Sequence, residues 1–393
     1  MNPETILLIL SSIGLLAGIA LTRWIHSGYD LDIVVKPVRY IPQPAPRITV
    51  IVPARNEARN IRRCVLALLS QTYPNYELVV VDDRSTDSTL QILEELAGTP
   101  AGAARLEIIR GVEPPPGWAG KPHALIQAAS RATGDWLCFV DADTFASPEL
   151  LTASLEAARI HFADLFTILT AQELGSFWEK VVLPLVFTAL SFGFPARRVN
   201  DPAKPDAIAN GQFILIKRQV YMAVGGHQAV RDRIDEDKAL AEVVKRSGYR
   251  LVVTDGRHVA RTRMYTSLPE IWEGWTKNIY LGLRDRLWLL LLGGFVGLLG
   301  ALLLPVWLGG GLFWYFTTGT LIPALVSLQA LAVWAYLLVV RLQACRAFQI
   351  SPFYALTLPL GSLVFTAMMA ASAFKVLSRK GVTWKGRTYL GRP

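Results

Sequence analysis

The stretch Trp136-Leu137-Cys138-Phe139-Val140-Asp141-Ala142-Asp143 decides the fold class of this 393-residue chain. Leu137 to Val140 is a short apolar run, preceded by Gly134-Asp135 and followed by Thr144, Ser147 and Pro148. That pattern predicts a central strand that ends in a loop and then a helix. In open α/β sheets ligands gather at the carboxyl ends of the strands, which is where Asp141 and Asp143 would project. Two carboxylates one residue apart, with no Lys or Arg between them, repel each other, and a hard divalent cation relieves the repulsion. Two solvated loop aspartates would look the same in isolation, so the neighbouring segments must decide.

Working outward, the segment from Arg47 to about Val259 alternates strand and helix patterns. Ile48 to Val52 reads as a strand closed by Pro53, and Asn56 and Glu57 open a helix carrying Ile61, Val65, Leu68 and Leu69. Leu78 to Val81 is a second strand running into Asp82-Asp83-Arg84-Ser85-Thr86-Asp87, with Thr86 or Asp87 as the N-cap of the next helix. Leu106 to Ile109 is a third strand, Ala124 to Ala132 a helix, and the Trp136 segment the fourth strand. Repeated βαβ units give a mostly parallel, doubly wound sheet buried on both faces. Leu165 to Leu169 and Phe213 to Ile216 read as further strands, and Ile234 to Ser247 as a helix with an acidic start, stopped by Gly248. Trp272, Trp275, Ile279 and Leu283 fall on one face of a later helix at 3- and 4-residue spacing, more often a packing face than a ligand box.

Outside this segment the composition changes. The chain is 52% hydrophobic with a mean hydropathy of +0.34, too apolar for an ordinary soluble protein. Residues 1–24 read as a membrane anchor built on Ile6 to Leu21. A cleaved signal is disfavoured there, because Glu4 and no basic residue precede the apolar run. Residues 25–46 are a stiff linker with four prolines from Pro37 to Pro46. Arg23, Lys36, Arg39 and Arg47 place the following domain, residues 47–285, on the cytoplasmic side. Within it, about 177–198 reads as membrane-interfacial or re-entrant, with a buried helix as the alternative. Residues 286–377 form a C-terminal transmembrane region. Leu287 to Val340 is long enough for two spans, parted near Gly309-Gly310-Gly311 or Thr317 to Thr320, and Pro352 to Phe374 supplies a third. Three crossings would leave the basic tail, 378–393, outside, against the positive-inside rule, so the number of crossings stays open. The expectation is a multi-pass protein of the cell membrane in contact with membrane lipids. The net charge of +9 suits an anionic membrane surface or phosphorylated ligands. Scattered basic residues, with no aromatic-studded stripe, argue against nucleic acid. Cys64, Cys138 and Cys345 have no metal-ligand spacing.

The chemistry-bearing residues sit at successive strand ends: Pro53-Ala54-Arg55-Asn56-Glu57, Asp82-Asp83, Trp118-Ala119-Gly120-Lys121, Asp141-Ala142-Asp143 and, much later, Asp235-Glu236-Asp237 at a helix start. Together with Asn210-Gly211-Gln212, these motifs give the chain a resemblance to the membrane-bound branch of the family 2 glycosyltransferases of GT-A fold, covering residues 47 to 285. That branch includes ceramide glucosyltransferases and bacterial enzymes that glycosylate carotenoids and hopanoids.

The resemblance implies a GT-A domain flanked by transmembrane helices, a nucleotide-sugar donor, taken as a UDP-sugar, a lipid acceptor, and Mg2+ or Mn2+ as cofactor. Pro53, Ala54 and Glu57 would shape the nucleoside pocket, and Asp82 or Asp83 would accept from the uracil imide, although Asp83 also reads as a helix cap. Lys121 would lie near the diphosphate as a point charge, or else be a surface lysine. Asp143, supported by Asp141, would hold the metal. Asp237 would be the general base for an inverting displacement, while Asp235, Glu236 and Asp237 also suit a helix first turn. The family's arginine-tryptophan motif is imperfect in Glu273-Gly274-Trp275-Thr276-Lys277-Asn278. There Lys277 stands for the arginine and Trp275 is an acceptor-site candidate, alongside Gly211, Gln212 and Glu236 for acceptor or diphosphate. Arg261, Arg263 and Trp384 to Arg387 are other phosphate candidates, and His227 reads as structural. A polysaccharide synthase, a polyprenyl-phosphate sugar transferase and a non-catalytic membrane scaffold or transporter are the competing readings.

Overall fold

The computed structural model describes residues 33–36, 38, 43–193, 195–283, 304–378, 382–384 and 387–389, together with Thr5, Ile6, Ile9, Ser12, Ile13 and Leu16. The chain divides into two compact units: residues 28–173 with 194–264, and residues 1–27 with 174–193 and 265–393.

The first unit is built on a seven-stranded sheet in the order β3-β2-β1-β4-β8-β6-β9. Its strands are β1 (Ile48–Ala54), β2 (Tyr76–Asp82), β3 (Leu106–Arg110), β4 (Trp136–Phe139), β6 (Leu165–Leu169), β8 (Ile214–Lys217) and β9 (Leu251–Asp255). β1, β2, β3 and β4 pair in parallel, as do β6 and β9, whereas β8 runs antiparallel to both β4 and β6. The apolar runs read from the sequence are buried as a sheet covered on both faces requires: Ile48, Val50, Leu78, Val80, Leu137 and Cys138 have no exposed surface. Alternate residues feed two cores. Val50, Leu78 and Cys138 pack on one face with Ile61, Val65 and Phe166, while Ile51, Val79 and Leu137 pack on the other with Ala128, Leu240 and Val244. Each fully buried aliphatic side chain contributes roughly 1.5–3 kcal/mol of transfer free energy.

The longer helices of this unit are α1 (Ile61–Leu69), α2 (Thr89–Ala97), α3 (Gly120–Ala129), α4 (Leu150–Ile160) and α6 (Glu236–Arg246). Three helix starts differ from expectation, and one of them is α3, which begins at Gly120 instead of Ala124 and so takes Lys121 into its first turn. α1 begins at Ile61, because Glu57 to Asn60 first closes a turn in which the Asn60 and Ile61 N–H groups donate to the Glu57 carbonyl. α2 begins at Thr89, because Asp87 receives N–H bonds from Ala58 and Thr89 and so pins the loop rather than capping the helix. A small second sheet, β5 (Thr144–Ala146), β10 (Ala260–Thr262) and β7 (Ala171–Gln172), follows directly after Asp143.

The second unit is helical. α5 (Phe177–Gly193) buries Val181, Val182, Leu183 and Val186, while Phe177 and Leu190 are exposed. Pro184 lacks an N–H and leaves the Lys180 carbonyl without its helical donor; Arg341 Nη2 donates to it at 2.7 Å and to the Val181 carbonyl at 3.1 Å. α7 (Leu268–Leu283) holds Trp275 buried, 5.6 Å edge-on from Phe187, and Lys277 buried, whereas Trp272 is 37% exposed. α8 (Leu304–Thr318) is followed by α9 (Leu321–Ala347). The break falls at Gly319 with φ +68°, so Gly309 to Gly311 lie inside a helix. α10 (Leu358–Ser378) comes last. Among the described residues, two helical stretches are long and apolar enough to cross a membrane, Leu321–Ala347 and Pro352–Ser378. Most of the expected N-terminal anchor, the start of the first C-terminal span at Leu287 and most of the basic tail lie outside the described residues.

Candidate functional site

Four segments distant in sequence converge at the end of β4. Lys121, the second residue of α3, extends its ammonium between two carboxylates, 2.6 Å from Asp141 Oδ1 and 2.7 Å from Glu236 Oε1. Glu236 and Asp237 are the first residues of α6, where acidic side chains favour the helix dipole. Asp237 is held at both oxygens: the Gly211 N–H donates to Oδ2 at 3.0 Å and the Lys238 N–H to Oδ1 at 2.7 Å. Gly211 is the floor of the cluster. A Cβ there would lie 3.0 Å from Asp237 Oδ2, 3.2 Å from Lys121 Nζ and 3.3 Å from Asp141 Oδ2, tighter than a side chain tolerates without displacing them. Asp141, Lys121, Glu236, Asp237 and Gly211 thus form one cluster.

The electrostatics follow from burial and charge count. Burial, reinforced by the Asp237 and Asp141 carboxylates, pushes Glu236 up to about 7 against the pull of Lys121. Asp237 is raised chiefly by burial, opposed by the Lys121 ammonium and the two N–H donors. Burial lowers the pKa of Lys121, but Asp141, Glu236 and Asp237 outweigh it and hold the ammonium well above the ordinary lysine range. Behind it, His227 is pulled down to about 3 by burial and then by the Lys121 charge. It stays neutral, 2.9 Å from the Tyr221 hydroxyl and edge-on to Phe139 at 4.9 Å. That is the structural role the sequence suggests for His227.

A second group lies at the ends of β1 and β2. Asp82 and Asp83 are both buried, each 4% exposed. Asp83 is paired with Arg84 at 3.2 Å and Arg55 at 3.6 Å, and its N–H donates to the Ala54 carbonyl. Asp82 Oδ2 accepts the Ser85 N–H at 3.3 Å, while its buried Oδ1 has no hydrogen-bond partner. A buried carboxylate oxygen without a donor is costly, so this atom can accept an incoming N–H. Asn56 and Arg84 both have positive φ, 54° and 57°, backbone strain of the kind concentrated at functional sites. Asn56 Oδ1 accepts the Thr86 N–H, linking the two loops. Pro53 is the half-buried next-to-last residue of β1, and the Glu57 carboxylate accepts from Asn60 Nδ2.

Gln212 is turned inward. Its Oε1 accepts from Thr170 and from Asn210 at 3.1 Å, in a buried chain that continues through Thr262 to Thr144. Trp275 and Lys277 belong to the helical unit. Sequence reasoning did not find the contact between Lys121 and Glu236; like charges crowded at the α6 start were its only trace. It also did not find the pairing of Arg63 with Glu173 at 2.7 Å, which flanks the small sheet together with Arg261 and Arg263.

Asp141 and Asp143 offer oxygen donors of the kind a hard divalent ion takes. The Asp141 carboxylate already attracts a cation, the Lys121 ammonium, and Asp143 follows two residues later with its carbonyl 3.5 Å from the Arg263 N–H. Among the described residues no group of three or more His, Cys, Asp or Glu side chains is placed to hold a metal by itself. Mg2+ characteristically takes one or two carboxylates and completes its shell with water and substrate phosphates.

Residues 49–225 match the glycosyl transferase family 2 domain, and this chain therefore carries a domain of that family. It is 26% identical over 239 residues to the 4,4'-diaponeurosporenoate glycosyltransferase of Staphylococcus aureus (strain USA300), an alignment covering 60% of this chain. The chain spans 61% of the length of the curated relatives it matches, strain NCTC 8325 included. In fold it is similar to a mannosyltransferase from Pyrobaculum calidifontis solved with GDP-Man and Mn2+, with 19% identity and a TM-score of 0.51 over 95% of this chain and 99% of that one. This likeness bears on the fold alone, and the mixed α/β, mostly parallel sheet is the GT-A architecture that the sequence motifs imply.

Proposed function

We propose that the protein is an inverting, metal-dependent glycosyltransferase that moves a sugar from a nucleotide-sugar, taken as a UDP-sugar, to a lipid acceptor at the cytoplasmic face of a membrane. The observation that carries this reading is the gathering of Asp141, Glu236 and Asp237 around one lysine at the end of a central strand, together with the buried Asp82 oxygen at the end of β2. The family match and the glycosyltransferase relatives support it.

In this reading Asp82 Oδ1 accepts the N3–H of uracil, between the loops of Asn56 and Arg84. Pro53, Ala54 and Glu57 border the nucleoside. Lys121 meets the diphosphate as a point charge. Asp141 and Asp143 hold Mg2+ or Mn2+, which supplies charge neutralisation for the departing nucleoside diphosphate. Asp237, fixed by two N–H donors and raised by burial, takes the proton from an acceptor hydroxyl as it attacks the anomeric carbon. Holding both of its oxygens aims this base without a further side chain.

A second reading of the acceptor comes from the name of the staphylococcal relative, which denotes a carboxylate. An acceptor already ionised needs no base, so Asp237 would then orient the nucleophile rather than deprotonate it. The two apolar stretches, Leu321–Ala347 and Pro352–Ser378, support an acceptor that partitions into lipid.

The test is incubation of membranes containing the protein with labelled nucleotide sugars and lipid extract, followed by mass analysis of the product. One labelled lipid is expected, formed only with divalent metal. Asp143→Asn is expected to abolish both transfer and metal-dependent donor hydrolysis; full activity in that variant would remove Asp143 from the site.

A further inference from the structure

Resting on the reading of Asp141 and Asp143 as metal-side carboxylates, we infer that Lys121 is the resident cation of the ligand-free site and that Glu236 holds it there. A divalent ion then gains Asp141 only after a nucleoside diphosphate has drawn the ammonium away. The ammonium bridges Asp141 Oδ1 at 2.6 Å and Glu236 Oε1 at 2.7 Å, which places it where a cation neutralises both carboxylates. An ammonium has three N–H donors, and two are spent in this bridge. Glu236 is the inner partner, its side chain 5% exposed, whereas Asp141 is 26% and Lys121 37% exposed, so ligands reach the pair from the Asp141 side.

The backbone below Lys121 is anchored, because the Ala119 N–H donates to the Arg231 carbonyl at 2.6 Å. Its four-carbon stem lets the head move while the helix stays in place. With the ammonium present, an arriving divalent ion meets a like charge and a neutralised Asp141. A diphosphate offers Lys121 a more highly charged partner, and once the head turns to it, Asp141 faces the metal together with the phosphate oxygens. The order of binding is therefore built into the site: nucleotide first or together with the metal, and metal alone only weakly. Glu236 is a positioning residue in this scheme. It keeps the lysine in the site when Asp141 changes partners.

The experiment uses the full chain purified in detergent and follows Mn2+ binding through the free-ion paramagnetic resonance signal, with and without UDP. In the wild type, UDP is expected to tighten Mn2+ by about tenfold or more, and by reciprocity Mn2+ tightens UDP by the same factor. Lys121→Met is expected to bind Mn2+ alone about tenfold more tightly than the wild type, with the UDP effect reduced several-fold. Glu236→Gln, which releases one partner of the ammonium, is expected to tighten UDP alone about threefold. Equal Mn2+ affinities for wild type and Lys121→Met overturn the inference. The wild type also decides by itself: Mn2+ held without UDP as tightly as with it overturns the inference whatever the variants do. Mn2+ binding unchanged by Asp143→Asn overturns the underlying metal reading instead, and a UDP effect on Mn2+ as large in Lys121→Met as in the wild type overturns the nucleotide part.

Discussion

The two acidic strand ends of the sheet, Asp82-Asp83 on β2 and Asp141 to Asp143 after β4, are similar in sequence and opposite in surroundings. At β2 the charges are nearly balanced: Asp83 has Arg55 and Arg84, and the remaining need is one donor for Asp82 Oδ1. At the end of β4 three carboxylates, Asp141, Glu236 and Asp237, surround the ammonium of Lys121. A balanced acidic end suits recognition of a neutral N–H. An end with acid in excess suits a group that brings positive charge, or chemistry that needs a base. Sequence spacing alone ranks the two alike, and the difference comes from which basic residues the fold delivers to each.

The sharpest way to break this comparison is Asp237→Asn. Transfer is expected to fall by about 10²–10⁴-fold with nucleotide binding retained, measured as turnover beside UDP affinity. Loss of donor binding would make the residue structural, and unchanged turnover would favour an acceptor that is already ionised.

A smaller effect concerns the neutral wall behind Lys121. His227 is held near 3 instead of about 6.5, so below pH 6.5 the unfolded chain binds a proton that the folded one refuses. The folded state therefore loses stability as pH falls, by about 2 kcal/mol at pH 5. Denaturant midpoints at pH 7.5 and 5 should converge for His227→Gln relative to the wild type. If the wild type shows no greater loss at pH 5 than the variant, the imidazole is not held neutral.

The smallest change is expected at the balanced end. Asp82→Asn swaps one acceptor oxygen for a donor, and donor affinity should weaken about tenfold, or roughly 1.4 kcal/mol, with turnover at saturation kept. A purine nucleotide that gains what the uridine nucleotide loses would reassign the base.

Much of this architecture was legible before any coordinates. Ile48 to Val52, Leu78 to Val81, Leu106 to Ile109, Leu137 to Val140, Leu165 to Leu169 and Phe213 to Ile216 are mainly apolar runs, interrupted only at Thr49, Glu107 and Thr167, and each lies in or against a strand of the main sheet. Burial on both faces writes itself into local composition, so these segments needed no tertiary information. β9 and the small sheet of β5, β10 and β7 were not read. Thr144–Ala146, Ala260–Thr262 and Ala171–Gln172 are too short to show a period of two, and they exist only because the chain after Asp143 finds partners. The helix starts at Ile61 and Thr89 escaped for a related reason: Asp87 and Glu57 hydrogen-bond across loops, and local propensity does not record long-range partners.

The candidate residues divide in the same way. Their types and their order at strand ends are properties of the chain, because carboxylates after apolar runs have nowhere else to project. That Lys121 stands between Asp141 and Glu236, that a side chain at Gly211 would press on Asp237, Lys121 and Asp141, and that Gln212 faces inward while Asp82 keeps an oxygen without a partner came from the tertiary structure. Electrostatic balance at a site depends on distances between segments far apart in sequence, and those distances exist only once the sheet has closed.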